Sequence, residues 1–139
     1  MTDIELAAAG LDGHSICLCR DGEIVTDDGK GISPMIKFIG EGKALNGFSA
    51  ADLIVGKAAA MLFVKAGIAE VYGKVMSESA ADFLKSHGVK FSYETLTEKI
   101  INRAGTGICP MEQTVAEIDS VDEAYIALCN KLEQLRQGK

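Results

Sequence analysis

One apolar run constrains the fold of this 139-residue chain more than any other feature. From residue 53 to residue 64 nearly every side chain is apolar or small, and Lys57 is the only charged one. Ser49 and Asp52 precede the run with the spacing of a capping box, and Gly67 follows it as a natural C-terminal cap. Because a helix that is apolar on all sides must be buried, we predict a central helix here.

The other predicted elements are a mixture of helices and strands along the whole chain. In chain order they are a helix from Thr2 to Gly10, a hairpin from Ser15 to Thr26 that turns at Asp21-Gly22, a short helix from Ser33, a strand from Ile68 to Val75, a helix from Ser77 to His87, a strand from Val89 to Thr95, a helix from Leu96 to Arg103, a short helix from Cys109 and a last helix from Ser120 to Leu135. Strands joined through helices favour parallel pairing with right-handed crossovers. We therefore predict a single α/β domain over residues 1–139, built as a three-layer α/β/α sandwich.

The charge balance excludes several classes of partner. The chain has 14 Lys and Arg against 20 Asp and Glu, a formal net charge of −6, and no run of basic residues. Such a surface does not attract nucleic acids or anionic membranes. The N-terminus carries acids where a signal peptide carries basic residues, and no apolar stretch reaches the length of a membrane span. We expect a cytoplasmic protein with no nucleic-acid partner and no membrane.

The four cysteines do not form a metal-binding pattern. His14, Cys17 and Cys19 supply three soft ligand types close together, but structural zinc usually requires paired C-x₂₋₄-C knuckles, which the chain lacks. Packing of small thiols on a half-buried strand explains the same residues. We expect reduced cysteines, no metal and no cofactor.

Lys57 and Gly56 form the first candidate site. A glycine allows a ligand to approach the backbone closely, and a lysine near a helix N-terminus adds a full charge to the partial positive charge there. That combination suits a phosphate or a carboxylate. The alternative is a lysine whose stem packs while its ammonium reaches the surface, where Asp52 is a partner.

The segment from Asn102 to Glu112 is the second candidate. Gly105, Thr106 and Gly107 lead into a helix that starts with proline, and Cys109 stands at its N-cap, where the helix dipole favours a thiolate. Cys109 is therefore the best candidate for a nucleophile, although the two histidines, His14 and His87, are distant in sequence. The alternative is a simple turn at residues 105–107, with Arg103 solvated or paired with a carboxylate.

These two motifs also carry a family resemblance. At residues 52–60 and 105–112, and in the order of its elements, the chain resembles a small bacterial family of unassigned function that has a cytidine-deaminase-like fold. The resemblance covers nearly the whole chain. It implies a mixed sheet that begins with an antiparallel hairpin, continues with parallel strands and lies between helices.

The chain departs from true deaminases at the residues that perform their reaction. Those enzymes carry a His or Cys ligand and a catalytic Glu on the buried helix, and a Pro-Cys-x-x-Cys at the start of the next helix. Here the corresponding stretches read Gly56-Lys-Ala-Ala59 and Met76-Ser-Glu-Ser-Ala80. Zinc-dependent deamination is therefore not expected. The resemblance suggests instead that the substrate pocket persists, with Lys57 in place of the metal's charge.

Three functions follow from these observations. The leading hypothesis is a ligand-binding protein for a nucleotide, an ADP-ribose-like molecule or another phosphorylated metabolite. Its predicted ligand-binding residues are Asp52, Gly56, Lys57, Arg103, Gly105, Thr106, Gly107, Cys109 and Glu112. The second hypothesis is an enzyme, or an acceptor of covalent modification, that uses Cys109 as a reactive thiol. The third is an interaction protein that forms a homodimer through its last helix.

Overall fold

A computed structural model of the chain describes residues 1–102 and 105–137. Within these described residues, five strands and six helices follow one another: α1 (Asp3–Gly10), β1 (Ile16–Arg20), β2 (Glu23–Asp27), α2 (Ser33–Gly40), β3 (Ser49–Val55), α3 (Lys57–Ala66), β4 (Glu70–Ser77), α4 (Glu78–Ser86), β5 (Lys90–Thr97), α5 (Pro110–Val115) and α6 (Val121–Gln137). The fold is therefore mixed α/β. Within the described ranges, no helix combines the length and the apolar character needed to cross a membrane.

The five strands form one mixed sheet in the order β2-β1-β3-β4-β5. Strand β1 lies antiparallel to β2 and to β3, whereas β3, β4 and β5 run parallel to one another. The hairpin turn has the expected chemistry, because Asp21 and Gly22 both adopt positive φ angles, 49° and 87°. The expectation of a mixed sheet that starts with a hairpin is confirmed.

The predicted central helix is wrong at its N-terminal half. Residues 49–55 form β3, and the helix begins only at Lys57, with Gly56 in an extended conformation at its N-cap. Ser49 and Asp52 are thus not a capping box but strand residues, paired across the sheet. A strand buried between two neighbours is as continuously apolar as a buried helix, so hydrophobicity alone did not separate the two.

A second correction concerns the segment after Val89. Strand β5 continues to Thr97, so no helix begins at Leu96. Arg103, the predicted end of that helix and a predicted ligand-binding residue, lies outside the described residues. The short helix that starts at Pro110 and the long last helix are present as predicted.

The hydrophobic core lies on both faces of the sheet. Alternate residues of β1 divide between two clusters: Cys17 and Cys19 pack with α1, whereas Ile16 and Leu18 pack with the larger cluster formed by the other helices. Residues 58–63 of α3 are all buried, so the prediction of a buried central helix holds for this shorter element. The larger cluster includes both Val55, at the end of β3, and these residues of α3, so the helix packs close to the end of the strand.

Candidate ligand-binding cleft

A cleft of about 510 Å³ opens where β3 ends and α3 begins. Its lining is mainly apolar and comes from the loop before α2, from β3 and α3, from the segment after β5, and from α5 and α6. The lining residues are Lys30, Gly31, Ile32, Ile54, Gly56, Ala59, Ile100, Ile101, Asn102, Cys109, Pro110, Met111, Glu112, Leu132 and Leu135. The carboxyl end of a parallel strand is where open α/β sheets hold their ligands.

Glu112 is the acidic residue of this lining, and it caps α3 from another helix. Its Oε1 accepts a hydrogen bond from the backbone N–H of Lys57 at 2.8 Å, and its Oε2 accepts one from Ala58 at 2.9 Å. The carboxylate thus satisfies two of the free N–H groups at the helix N-terminus and faces the positive end of the helix dipole. The chain's own carboxylate occupies the anion position that the sequence assigned to a ligand.

Gly56 is required by this contact. A Cβ atom on residue 56 would lie 2.5 Å from the carboxyl carbon of Glu112 and 2.5 and 2.6 Å from its two oxygens. The backbone of Gly56, with φ −96° and ψ −178°, is one that any residue adopts. Close approach rather than backbone conformation therefore explains the glycine, and the group that approaches belongs to the protein.

Lys57 points away from the cleft. Its Nζ donates to the backbone carbonyl of Ala116 at 3.3 Å and lies 4.0 Å from Oδ1 of Asp119. Only 15% of the side chain is exposed. This arrangement matches the alternative of a packed stem with a peripheral ammonium, with Asp119 rather than Asp52 as the nearby acid. Nothing in it aims the lysine at a molecule in the cleft.

Asp52 is buried within β3 and is not part of the cleft lining. Burial raises the pKa of its carboxyl to about 7, although the backbone N–H groups of Ile54 and Leu53 oppose that shift by hydrogen bonding to the carboxylate. Strand alternation places Asp52 on the same face of the sheet as Ala50, which packs in the larger core cluster. Because Asp52 is buried away from the cleft lining, we expect its replacement to change the free energy of unfolding rather than ligand binding.

Residues 100–102 and 105–109 lie antiparallel to each other between β5 and α5. Asn102 donates its backbone N–H to Gly107 at 2.8 Å, and its side-chain oxygen accepts the N–H of Thr106 at 3.1 Å. An isolated bridge joins Ile101 to Ile108. Residues 105–107 thus form the turn that the alternative interpretation predicted, while the two ends of the loop reach the cleft.

Cys109 lies at the N-cap of α5 and lines the cleft as a half-buried free thiol. Neither histidine belongs to this lining. His14 contacts Asp28 at 2.7 Å on the opposite side of the sheet, and His87 stacks on Phe83. The structure therefore brings Gly56, Cys109 and Glu112 together but does not bring an imidazole to the thiol.

Several lining residues were missed by the sequence reasoning. Ile54, Ile101 and Leu135 are large apolar side chains that remain 53%, 49% and 45% exposed, respectively. Ile54 lies in β3, Ile101 in the segment after β5 and Leu135 in α6, and the three converge only in the folded chain. The only sequence signal for these residues was their apolar character, and an apolar residue is equally expected in the hydrophobic core.

A second hollow, of about 470 Å³, lies beside α1. We call it the α1 groove. It is lined by Ala8, Leu11, Asp12, Gly13, His14, Leu53, Tyr72, Lys74 and Glu94. Tyr72 donates its hydroxyl to Glu94 at 3.2 Å, and burial together with that carboxylate raises the pKa of Tyr72. Among the described residues, no group of three His, Cys, Asp or Glu side chains has the geometry to hold a metal.

The fold and the cleft define a mixed α/β protein with a ligand-sized cleft at the carboxyl end of its first parallel strand. Residues 9–132 match the family described as TM1506, a domain of unknown function (DUF1893), and the chain belongs to that family.

One solved structure of the same family resembles the chain closely in fold. It is the crystal structure of a DUF1893 family protein, TM1506, from Thermotoga maritima, with a TM-score of 0.84 and 24% sequence identity over 94% of this chain and 91% of that one. No similar protein was found among curated proteins. The family therefore fixes the fold and assigns no function.

Proposed function

We propose that this chain is a ligand-binding protein whose cleft holds a flat, mainly apolar group that presents N–H donors to Glu112. The specific ligand class is a nucleotide or an ADP-ribose-like molecule, with the base inside the cleft and the phosphate at its mouth. The observation that carries the proposal is an acidic side chain, fixed by two hydrogen bonds, in a mainly apolar cleft at the end of β3.

The size and lining of the cleft suit a ring. Ligand pockets usually measure about 300–1,000 Å³ and are lined by apolar side chains with a few polar groups that set orientation. The apolar residues here are Ile32, Ile54, Ala59, Ile100, Ile101, Pro110, Met111, Leu132 and Leu135. Burying a flat apolar ring against such walls removes apolar surface from water, which contributes about 25 cal/mol per Å².

Glu112 supplies the specificity in this proposal. An ionised carboxylate accepts about four hydrogen bonds, and the backbone of α3 uses one site on each oxygen. The remaining lone pairs favour a ligand that donates N–H groups, such as the amino and imino groups of a base. A ligand that offers only acceptors to this wall is disfavoured, because its lone pairs would face the carboxylate.

The phosphate position differs from the one predicted from the sequence. The N–H groups of Lys57 and Ala58 are already bonded to Glu112, and the ammonium of Lys57 bonds to Ala116. Lys30 is exposed and contributes to the cleft from the loop before α2. We therefore place the phosphate beside Lys30, where it remains partly hydrated.

Deamination is not part of the proposal. Residues 56–59 lack the His or Cys ligand and the catalytic Glu of a zinc deaminase, and residues 76–80 lack its two Cys ligands. A three-layer, cytidine-deaminase-like arrangement remains our proposal for the fold. It is supported by the packing of α1 with one core cluster and of the later helices with the other.

A thermal-shift and calorimetric panel tests the proposed function. The ligands are adenosine, cytidine, AMP, ADP-ribose and ribose 5-phosphate, each at millimolar concentration. A ligand that binds only the native state raises the free energy of unfolding by about 2.7 kcal/mol at 100 times its Kd. We expect stabilisation by the ligands that carry a base and none by ribose 5-phosphate.

Matched variants locate the binding. Ile54→Ser removes an apolar wall of the cleft, and Ile24→Ser makes the same change at a residue of similar exposure on β2, outside the cleft. We expect the first to abolish the ligand-induced shift and the second to preserve it. Lys30→Met should weaken the binding of AMP but not that of adenosine, whereas Lys57→Met should weaken the binding of neither ligand. Equal stabilisation by ribose 5-phosphate, or no response to any base, would refute the proposal.

Cys109 supports a second candidate, a reactive thiol. The observation in its favour is that the thiol lines the same cleft as Glu112. Labelling by iodoacetamide near neutral pH measures its reactivity directly, with Cys129 as an internal reference of similar burial. Labelling of Cys109 no faster than free cysteine would exclude an activated nucleophile.

A further inference from the structure

Strand β5 forms one edge of the sheet and leaves its outer side open. Within residues 1–102 and 105–137, the only strand hydrogen-bonded to β5 is β4. Six of its eight residues are exposed, including Tyr93 at 43% and Leu96 at 42%. A long open edge with exposed apolar side chains readily pairs with another strand.

The sequence of β5 is complementary to itself in one antiparallel register. A two-fold axis perpendicular to the sheet keeps each face on its own side, so it can pair only residues that share a face. When the axis passes through Ser92, Lys90 lies opposite Glu94 of the second copy, and Phe91 lies opposite Tyr93. The symmetry makes each of these pairs twice.

The contacts already present place these side chains correctly. Tyr72 bonds to Glu94, so the face that carries Lys90, Ser92 and Glu94 is the one that faces α1. Phe91 packs against the larger core cluster on the other face. The register thus puts two ion pairs on one face and two aromatic pairs on the other, and both kinds of cross-strand pair are stabilising.

The opposite edge of the sheet lacks this complementarity. Strand β2 has five residues, and a two-fold axis through its central Val25 places Glu23 opposite Asp27, two like charges. Asp27 is also engaged by Lys37 of its own chain. Like charges directly opposite destabilise a strand pair, so the corresponding central register is disfavoured at β2.

We infer that two copies of this chain associate through β5, antiparallel and centred on Ser92, to form one continuous ten-stranded sheet. This interface differs from the last helix, which the sequence suggested as the dimer surface. It also lies apart from the cleft, whose lining contains no residue of β5. The inference therefore stands independently of the proposed ligand.

Charge reversal tests the register. Light scattering with size-exclusion chromatography, at high micromolar concentration, should find a wild-type dimer. Lys90→Glu or Glu94→Lys alone places like charges opposite each other twice, and each should weaken the dimer by about tenfold or more. The double variant restores opposite charges and should restore the dimer. Glu23→Gln on β2 and Ile126→Glu on α6 should have no effect.

Cross-linking gives a second, geometric measurement. Ser92→Cys places two thiols opposite each other at the axis and should form an intermolecular disulfide on mild oxidation. Thr95→Cys lies three residues away, so its two copies are about 20 Å apart and should not cross-link. A monomeric wild type, single variants that remain dimeric, or equal cross-linking at both positions would overturn the inference.

Discussion

Two hollows of nearly equal size lie on the two sides of β3, one with a mixed lining of polar and apolar residues and the other with a mainly apolar lining. The cleft measures about 510 Å³ and the α1 groove about 470 Å³. Ile54 lines the cleft and its neighbour Leu53 lines the groove, because successive strand residues face opposite sides of the sheet. One step along the chain thus separates the lining of one hollow from that of the other.

This difference shows that paired polar groups and apolar walls affect ligand binding in different ways. In the groove, the hydroxyl of Tyr72 bonds to Glu94, so these polar groups satisfy each other in the absence of a ligand. In the cleft, most of the lining is apolar, and each oxygen of Glu112 accepts one hydrogen bond from the backbone of α3. Removing apolar walls from water favours occupancy of the cleft, whereas a ligand in the groove must first separate bonded partners.

We expect the largest change in stability from replacing Glu112, the acidic side chain of the cleft. Glu112→Ala removes two charge-assisted hydrogen bonds and leaves two N–H groups of α3 without their partner. We expect the free energy of unfolding in urea to fall by about 3 kcal/mol. Gly56→Ala should cost about 2 kcal/mol, since the new Cβ displaces the same carboxylate.

The double variant tests whether the cost of Gly56→Ala comes from its contact with Glu112 or from other packing around residue 56. Once Glu112 is truncated, a Cβ on residue 56 meets no carboxylate, so Gly56→Ala/Glu112→Ala should be no less stable than Glu112→Ala by more than about 0.5 kcal/mol. Gly107→Ala is the control, because a Cβ there has no atom within 4 Å. Additive losses at residues 56 and 112 would mean that the glycine serves another purpose.

The next effect concerns the buried carboxyl of β3. Burial raises the pKa of Asp52 from 3.8 to about 7, so between these values the native state binds more protons than the unfolded state. The free energy of unfolding should therefore fall as pH rises from 4 to 7 and then level off. Asp52→Asn should remove that fall, with a gain of about 2 kcal/mol at pH 8, roughly half of what three pKa units correspond to.

Asp27 is a matched carboxylate whose pKa shifts in the opposite direction to that of Asp52. Its pKa is lowered, chiefly by the hydrogen bond from Lys37, so its contribution is present above its ordinary pKa and is lost in acid. Asp27→Asn should therefore destabilise at neutral pH and have little effect at pH 3. Urea unfolding at pH 3, 5 and 8 measures both variants, and parallel pH profiles for the two would contradict the assignment.

The smallest effect belongs to the α1 groove. Tyr72→Phe removes one exposed hydrogen bond to Glu94 and should change the free energy of unfolding by less than about 1 kcal/mol. Because burial and Glu94 raise the pKa of Tyr72, Glu94→Gln should lower that pKa in an ultraviolet titration of the tyrosines. Neither change should alter ligand binding. A ligand that responds to Tyr72→Phe would locate its site in the groove.

Sequence reasoning reached the local features of the fold. Thr2 and Glu5 form the predicted capping box, and Ser77 caps α4 by accepting the N–H of Ala80 at 3.1 Å. These signals involve residues three apart, whose interaction depends only on the backbone between them. The last helix and the hairpin were readable for the same reason.

The errors arose where tertiary contacts decide the structure. Ser49 and Asp52 have capping-box spacing, but pairing with β1 and β4 holds them in a strand. Glu112 was assigned to the site without a role, because its partners lie 54 and 55 residues earlier in the chain. Gly56 was linked to the close approach of an anionic ligand, whereas in the structure the carboxylate of Glu112 lies at that position. That the anion is the chain's own carboxylate requires the fold.

Mapping of backbone amide shifts during a titration with AMP directly tests whether the cleft binds a nucleotide. We predict saturable shifts at Ile54, Gly56, Ile101 and Glu112, around the cleft, and unchanged positions at Gly13 and Lys74, in the α1 groove. Shifts concentrated in the groove, or no shifts at millimolar AMP, would contradict it.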